Sequence, residues 1–295
     1  MKMLTKKHHL EIKTYFDSVD ARIYTQKDIR QILASKRILW QLPGKIGVAE
    51  FLDHLIKNSE LKKIVLNSPD YDKKYIRYAW REISAYQLSL SLRPHSYLSH
   101  RSAMYLNNLT ELPSRIIYVN SEQTPKPRHE TSLEQRLIDL AFKSEPRTSK
   151  YVFKHKNWRI CCLSGLNTDN LGVVEIQAPT QGRLQVTGIE RTLIDIAVRP
   201  FYSGGTGEVL KAYMKAIGKI DTDRLISILR KIEYIYPYHQ VIGFYLQGAG
   251  FQNSSLNSFK EMGLKHDFYL DYGMQEKDYS KEWRVYFPKD LMTAR

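Results

Sequence analysis

Between residues 10 and 80, three short stretches of helical periodicity give way to two short stretches of strand composition, a succession that leaves few ways for the first third of the chain to fold. Leu10, Ile12, Lys13, Tyr15 and Phe16 begin a first helix that is over by Ser18 to Ala21. Thr25 then offers an N-cap and Asp28 a first-turn carboxylate, so the spacing of Ile29, Ile32 and Leu33 predicts a second helix over 26–36. A loop from Arg37 through Trp40 and Leu42 is broken by Pro43-Gly44. A third helix, over about 47–58, turns Val48, Phe51, Leu52, Leu55 and Ile56 inward. Two strands, 61–66 (LKKIVL) and 75–80 (YIRYAW), follow around the turn-rich NSPDYDKK. Three helices and a hairpin in this order predict a winged helix-turn-helix, in which the helix before the hairpin enters the major groove and the wing lies on the flanking backbone.

Charge points the same way. The chain has 45 Lys+Arg against 31 Asp+Glu, a formal +14, and its first 93 residues carry 18 against 10, so the basic excess per residue is highest there. Lys73, Lys74 and Arg77 on the wing, with Lys27, Arg30 and Lys45 around the helical pair, are candidate phosphate contacts, which position a protein without reading sequence. His54 and Lys57 on the third helix are candidates for base edges. Glu50 and Asp53 share that face; they accept from cytosine amino groups, turn aside or discourage non-specific binding.

A boundary near residue 93 separates this domain, 1–93, from a larger one, 94–295. There helices over 99–108, around Leu133 to Ala141, over 189–198, from about 207 and after Asp221 mix with strands over 115–120, 158–163, 172–177 and 185–187. The fold class expected for the whole is therefore α+β. Enzymatic signatures in it are weak. SGGTG at 203–207 lacks the spacing of a phosphate-binding loop and reads as a helix-capping turn, with Glu208 alone where a nucleotidyltransferase needs paired acids. Asp169, Glu175 and Gln177 imitate a metal-dependent nuclease, but Gln177 stands where such a site carries lysine. A nuclease-like enzyme, and a regulator that binds protein but no DNA, remain the alternatives.

Cys161 and Cys162 are adjacent and would point to opposite faces of a strand, which predicts reduced thiols and no disulfide. The paired His8 and His9 read as a solvated terminal pair, and no metal or cofactor is expected. No run approaches the roughly 18 apolar residues of a membrane span, and the start lacks an export signal's apolar segment, so a cytoplasmic protein with no membrane partner is expected.

Three longer segments carry a resemblance. RPHSYLSHRSAMYLNNLTELPSRIIYV (93–119), VTGIERTLIDIAVRPFYSGGTGEVLKAY (186–213) and YIYPYHQVIGFYLQGAG (234–250), in this order behind a winged helix, resemble the AbiEi family of antitoxins over roughly residues 20–290. The resemblance implies a non-enzymatic antitoxin of a type IV toxin–antitoxin system, active in abortive infection against viruses. Its winged helix would bind inverted repeats in its own promoter and repress it, and the larger domain would neutralise the toxin. The implied partners are double-stranded DNA and a nucleotidyltransferase-like toxin encoded alongside, which need not be touched directly. A monomer placing two copies on the operator is expected. The loop over 37–45 is longer than in the shortest family members. Within the matched segments, Arg191 and Asp195 are spaced to pair along a helix, with Glu190 beside them as scaffold. Tyr234, Tyr236, Tyr238 and His239 around Pro237 either stack on bases or form a packed aromatic corner, and Ile232 and Ile235 favour the corner.

Overall fold

The computed structural model describes residues 5–58, 60–125, 127 and 132–291. The first third forms helix α1 (Lys6–Ser18), a two-residue strand β1 (Ile23–Tyr24), helices α2 (Gln26–Lys36) and α3 (Val48–Asn58), and the hairpin strands β2 (Leu61–Ser68) and β3 (Lys73–Trp80). Helix α2 has the bounds its sequence predicts because its start is doubly fixed. The Asp28 amide donates to Thr25 Oγ1 at 3.2 Å and the Thr25 amide donates to Asp28 Oδ2 at 2.7 Å, a reciprocal cap worth about 1 kcal/mol. The loop after it is braced: Arg37 donates from Nη1 to Pro43 O at 2.7 Å and from Nη2 to Ile46 O at 2.8 Å, while Trp40 stacks on Phe51.

The hairpin is longer than its composition suggests, because a single 3₁₀ turn over Pro69–Tyr71 and Asp72 at φ +45° close it, leaving eight residues in each strand. Strand β1 pairs with the outer side of β3. Phe16, Ile29, Leu33, Trp40, Phe51 and Leu55 close over Leu61, Tyr78 and Trp80 at the base of the hairpin, and Phe16 stacks on Trp80 with ring centroids 4.9 Å apart.

The chain continues through α4 (Ala85–Leu90), β4 (Tyr97–Leu98), α5 (His100–Leu106), β5 (Ile116–Glu122), α6 (Gln135–Lys143), β6 (Val152–His155), β7 (Trp158–Gly165), β8 (Val173–Ala178) and β9 (Gly182–Thr187). Helices α7 (Ile189–Val198), α8 (Thr206–Lys215), α9 (Thr222–Ile232), α10 (Tyr238–Ala249) and α11 (Asn253–Lys260) follow. Strands β10 (Phe268–Tyr269), β11 (Lys277–Ser280) and β12 (Val285–Pro288) end the described chain. The fold is mixed α+β. One nine-stranded sheet runs β1-β3-β2-β6-β7-β5-β4-β9-β8, with β5–β7 and β4–β9 parallel and the rest antiparallel; a second sheet runs β10-β12-β11.

The large sheet does not stop near residue 93. Strand β2 hands over to β6 at one register pair, Asn67 with Lys154, and a second core lies beneath: Ile64, Leu66 and Tyr75 from the hairpin meet Phe153, Ile160 and Val186. Tyr75 meets Phe153 edge-on at 4.9 Å, and Tyr71 at the hairpin tip stacks on Tyr151 at the same distance. The third and largest core gathers α7 to α10 around Ile194, Tyr213, Leu225 and Tyr245. Cys161 and Cys162 are free and buried on opposite sides of β7, and burial pushes their thiols up to about 11 and about 12. Among the described residues no helix is long and apolar enough to cross a membrane.

Candidate nucleic-acid interface

Strand geometry sorts the wing cations. Successive side chains on a strand point to opposite faces, and the register of β2 with β3 sets Lys63 opposite Tyr78, Val65 opposite Ile76 and Asn67 opposite Lys74 on one face. On the other face Ile64 sits opposite Arg77, Leu66 opposite Tyr75 and Ser68 opposite Lys73. The first face carries Leu61, Tyr78 and Trp80 under the helices at its base and is open at its far end, where Val65 and Ile76 are 38% and 39% exposed between Lys63 and Lys74. The second face packs on the larger body of the protein. The three expected wing contacts are thus not one group: Lys74 shares the open face with Lys63, across the Val65–Ile76 pair, while exposed Lys73 projects from the opposite face.

Arg77 corrects the expectation most clearly. Its guanidinium is turned inward, where Nε and Nη2 donate to Ser91 O at 3.1 and 3.0 Å and Nη1 donates to Ile76 O at 3.0 Å. Burial lowers its pKa from the ordinary arginine value, but the carbonyls satisfy the charge. Arg77 is a strut between β3 and the residues after α4, and those bonds leave it no free fork for a phosphate.

His54 is the second correction. It lies on the side of α3 that meets α1, its ring edge-on to His9 at a centroid distance of 6.0 Å, with Asn58 Nδ2 3.2 Å from its Nδ1. Among the described residues its Nε2 and the Nδ1 of His9 are buried without a hydrogen-bond partner. Desolvation, then the neighbouring His9 and His8, lowers the pKa of His54, so a neutral imidazole packs between helices and does not reach toward bases. His8 and His9 are likewise no free terminal pair, since His8 closes the cap of α1 on Thr5.

The exposed face of α3 retains Ala49, Glu50, Asp53 and Lys57, one cation against two carboxylates. That of α2 carries Lys27 and Arg30 with Gln31 and Ala34, and Lys45 is exposed in the loop between them. Among the described residues, Lys27, Arg30, Lys45, Lys57, Lys63, Lys73 and Lys74 form no ion pair with an acid of this chain. The cationic side of the helical pair is α2 with its following loop more than α3, and the acidic pair on α3 is fully presented.

The glycine pair, the acidic residues and the tyrosine cluster of the larger body are each held by local contacts. Gly204 and Gly205, at φ +99° and +93°, shape the turn that starts α8. Glu175 accepts from Gln185 Nε2 at 2.9 Å and pairs with Arg183 at 3.3 Å, while Asp169 is exposed in a left-handed turn; among the described residues no cluster of three metal-ligating side chains forms. The tyrosines around Pro237 make the packed corner: Tyr236 stacks on Phe268, and Tyr238 meets both Tyr234 and Phe268 edge-on. Glu190 accepts from the Asp221 amide at the start of α9, which is scaffold.

No family model matches the sequence, and no curated protein is significantly similar to it. Among solved structures, the crystal structure of the RV2827C protein from Mycobacterium tuberculosis superposes with a TM-score of 0.61 over 99% of this chain and 94% of that one, at 12% identity. The likeness spans both the helical N-terminal third and the large sheet, and it establishes a shared fold.

Proposed function

We propose that the protein is a sequence-specific DNA-binding repressor of its own promoter, and that it serves as the antitoxin of a type IV toxin–antitoxin pair without catalytic activity of its own. In this reading α1 to α3 and the hairpin are a winged helix-turn-helix. The observation that carries it is the shared face: the helical layer rests on one side of the hairpin, and the same side continues past it as an open strip bearing Lys63 and Lys74. Lys27, Arg30, Lys45 and Lys57 supply further unneutralised charge on the helices and their loop, the sequence-independent part of binding. Glu50 and Asp53 raise the cost of approach to any phosphate not matched to them, which favours one site over bulk DNA. Two copies on an inverted repeat would give the operator affinity that one small module lacks.

The test is a mobility shift on the DNA upstream of the reading frame, with a scrambled duplex of equal length as control. A shift specific to the upstream duplex at moderate salt is expected. Equal binding to both duplexes, or none to either, overturns the repressor reading. Co-expression with the adjacent reading frame, where that frame encodes a nucleotidyltransferase-like protein, should relieve growth arrest; persistent arrest overturns the antitoxin reading.

A further inference from the structure

A cleft of about 870 Å³ opens where the hairpin tip meets the larger body, bounded by α7, the end of β7 and the loop before β6. Its floor is a buried ion pair. Arg191 and Asp195, one turn apart on α7 and only 4% and 7% exposed, are joined by Nε to Oδ1 at 2.8 Å. Arg191 Nη1 donates to Leu171 O at 2.6 Å and to Thr168 Oγ1 at 3.1 Å, which fixes the plane of the guanidinium. Among the described residues its hydrogen bonds leave from Nε and Nη1 alone, so a second amino group remains on a rigid fork lining the cleft.

His100 forms part of the wall, 8% exposed, its Nδ1 2.9 Å from Ser99 Oγ and its ring edge-on to Tyr202 at 5.4 Å. It is also held at φ +50°, a left-handed conformation that a histidine keeps only where surrounding structure enforces it. Toward the mouth stand Arg147, Lys150 and Arg199. Arg191 is paired with the cleft's acid, Asp195, so Arg147, Lys150 and Arg199 give the lining an excess of three positive charges, and low-dielectric walls concentrate such a field. Aromatic surface lies beside the charge: Tyr151 is sandwiched between Tyr71 of the hairpin tip and the guanidinium of Arg93, 4.9 Å from its ring.

We propose that this cleft binds a nucleoside phosphate, with Arg147, Arg191 and Arg199 on the phosphates and the base against Tyr71, whose ring lines the cleft, is 41% exposed and packs on Tyr151 by one face. Planar guanidinium forks fit phosphate oxygens two at a time, tyrosine faces accept any base, and the volume suits a ligand of that size. A cationic ligand meets the wrong field, and a purely apolar one strips water from the remaining fork of Arg191 with nothing in exchange. Because Tyr71 belongs to the hairpin and the arginines do not, an occupied cleft holds the tip against the larger body.

The experiment uses the full chain and a fluorescent N-methylanthraniloyl ATP in an anisotropy titration, with unlabelled ATP, GTP, CTP, UTP and inorganic triphosphate as competitors. Saturable binding displaced by at least one nucleotide is expected. Arg147→Ala with Arg199→Ala should weaken it about tenfold or more, the scale of lost charge-assisted hydrogen bonds, at an unchanged melting temperature. Arg147→Ala alone, an exposed site, should weaken it in the same direction. Lys27→Ala with Arg30→Ala, on the helical face, should leave it unaltered. Hydrogen exchange at the amides of Asp70 and Tyr71 should slow on addition of ATP. No saturable binding up to about 1 mM, a limit near 4 kcal/mol of affinity, overturns the proposal. So does displacement by triphosphate as effective as by every nucleotide, or a loss caused equally by the helical-face variant.

Discussion

Lys74 and Arg77 stand three residues apart on one strand, and their environments predict opposite phenotypes. Arg77→Ala removes a guanidinium whose donors are met by Ser91 O and Ile76 O and leaves the partly buried Ser91 carbonyl without that partner. A hydrogen bond from a charged donor contributes about 1.5 to 3 kcal/mol, and with bonds sharing one acceptor the net loss should be about 2 to 3 kcal/mol. At roughly 2 to 4 °C per kcal/mol for a chain of this size or a little smaller, the melting temperature falls by about 5 to 10 °C. Lys74→Ala with Lys63→Ala touches no internal partner and should leave stability within about 0.5 kcal/mol.

On DNA the order reverses. Each lost phosphate contact lowers the slope of log K against log salt by about 0.9, so the double lysine variant should lose about 1.8 while Arg77→Ala, assayed well below its melting point, keeps the parental slope. Thermal denaturation by circular dichroism and anisotropy on the upstream duplex across a salt series provide the two readouts. A reduced slope for Arg77→Ala with an unchanged melting temperature refutes the assignment of Arg77 as a strut. An unchanged slope for the lysine pair removes the open strip from the interface.

Three further outcomes follow from burial. Gly243→Ala drives a methyl group into the Trp283 ring inside the main core and should cost about 1 to 3 kcal/mol despite alanine's better helix propensity; an unchanged urea midpoint contradicts the packing of α10 on Trp283. Cys161 and Cys162, held at about 11 and about 12, should resist a disulfide reagent at pH 8 until the protein unfolds, and rapid native labelling refutes their placement. His100 is pulled down to about 4 by desolvation, with Arg199 and Arg191 adding to it against Asp195. Its unfolded value is near 6.5, so between those limits the unfolded chain binds the extra proton. Stability is then complete above about pH 6.5 and is lost as pH falls toward 4, by on the order of 3 kcal/mol. Urea unfolding at pH 7 and pH 5 should show this loss for the parent and less of it for His100→Gln; parallel losses refute it.

Where one segment contains its own determinants, the sequence was sufficient. Thr25 and Asp28 cap each other three residues apart, so α2 could be bounded to the residue, and α7 likewise ran over 189–198 up to Pro200. Strands β1, β6 and β10 are two to four residues long and show no period; they exist because a neighbour offers an edge, which no local pattern reveals. The placements of Arg77 and His54 were illegible for a related reason. Lys73 and Lys74 take opposite faces only because β3 begins at Lys73; an eight-residue turn of the same register would have left both in the loop. The acceptor of Arg77 lies 14 residues on, and the ring against His54 belongs to another helix. Lys63, by contrast, was legible once alternation along LKKIVL was followed from buried Leu61.

The hairpin has an apolar lining on each of its faces, and this governs how the protein can be taken apart. A fragment ending at residue 93 would keep Phe16, Phe51 and Trp80 closed over one face, and would even keep the acceptors of Arg77. It would also lay bare Ile64, Leu66, Tyr75, Tyr86 and Leu88 along the other, an open seam where Phe153 and Val186 belong. Apolar strand surface left uncovered in this way is a template for self-association. The natural excision therefore ends beyond β9, since the shortest piece that hides its own seam is most of the chain.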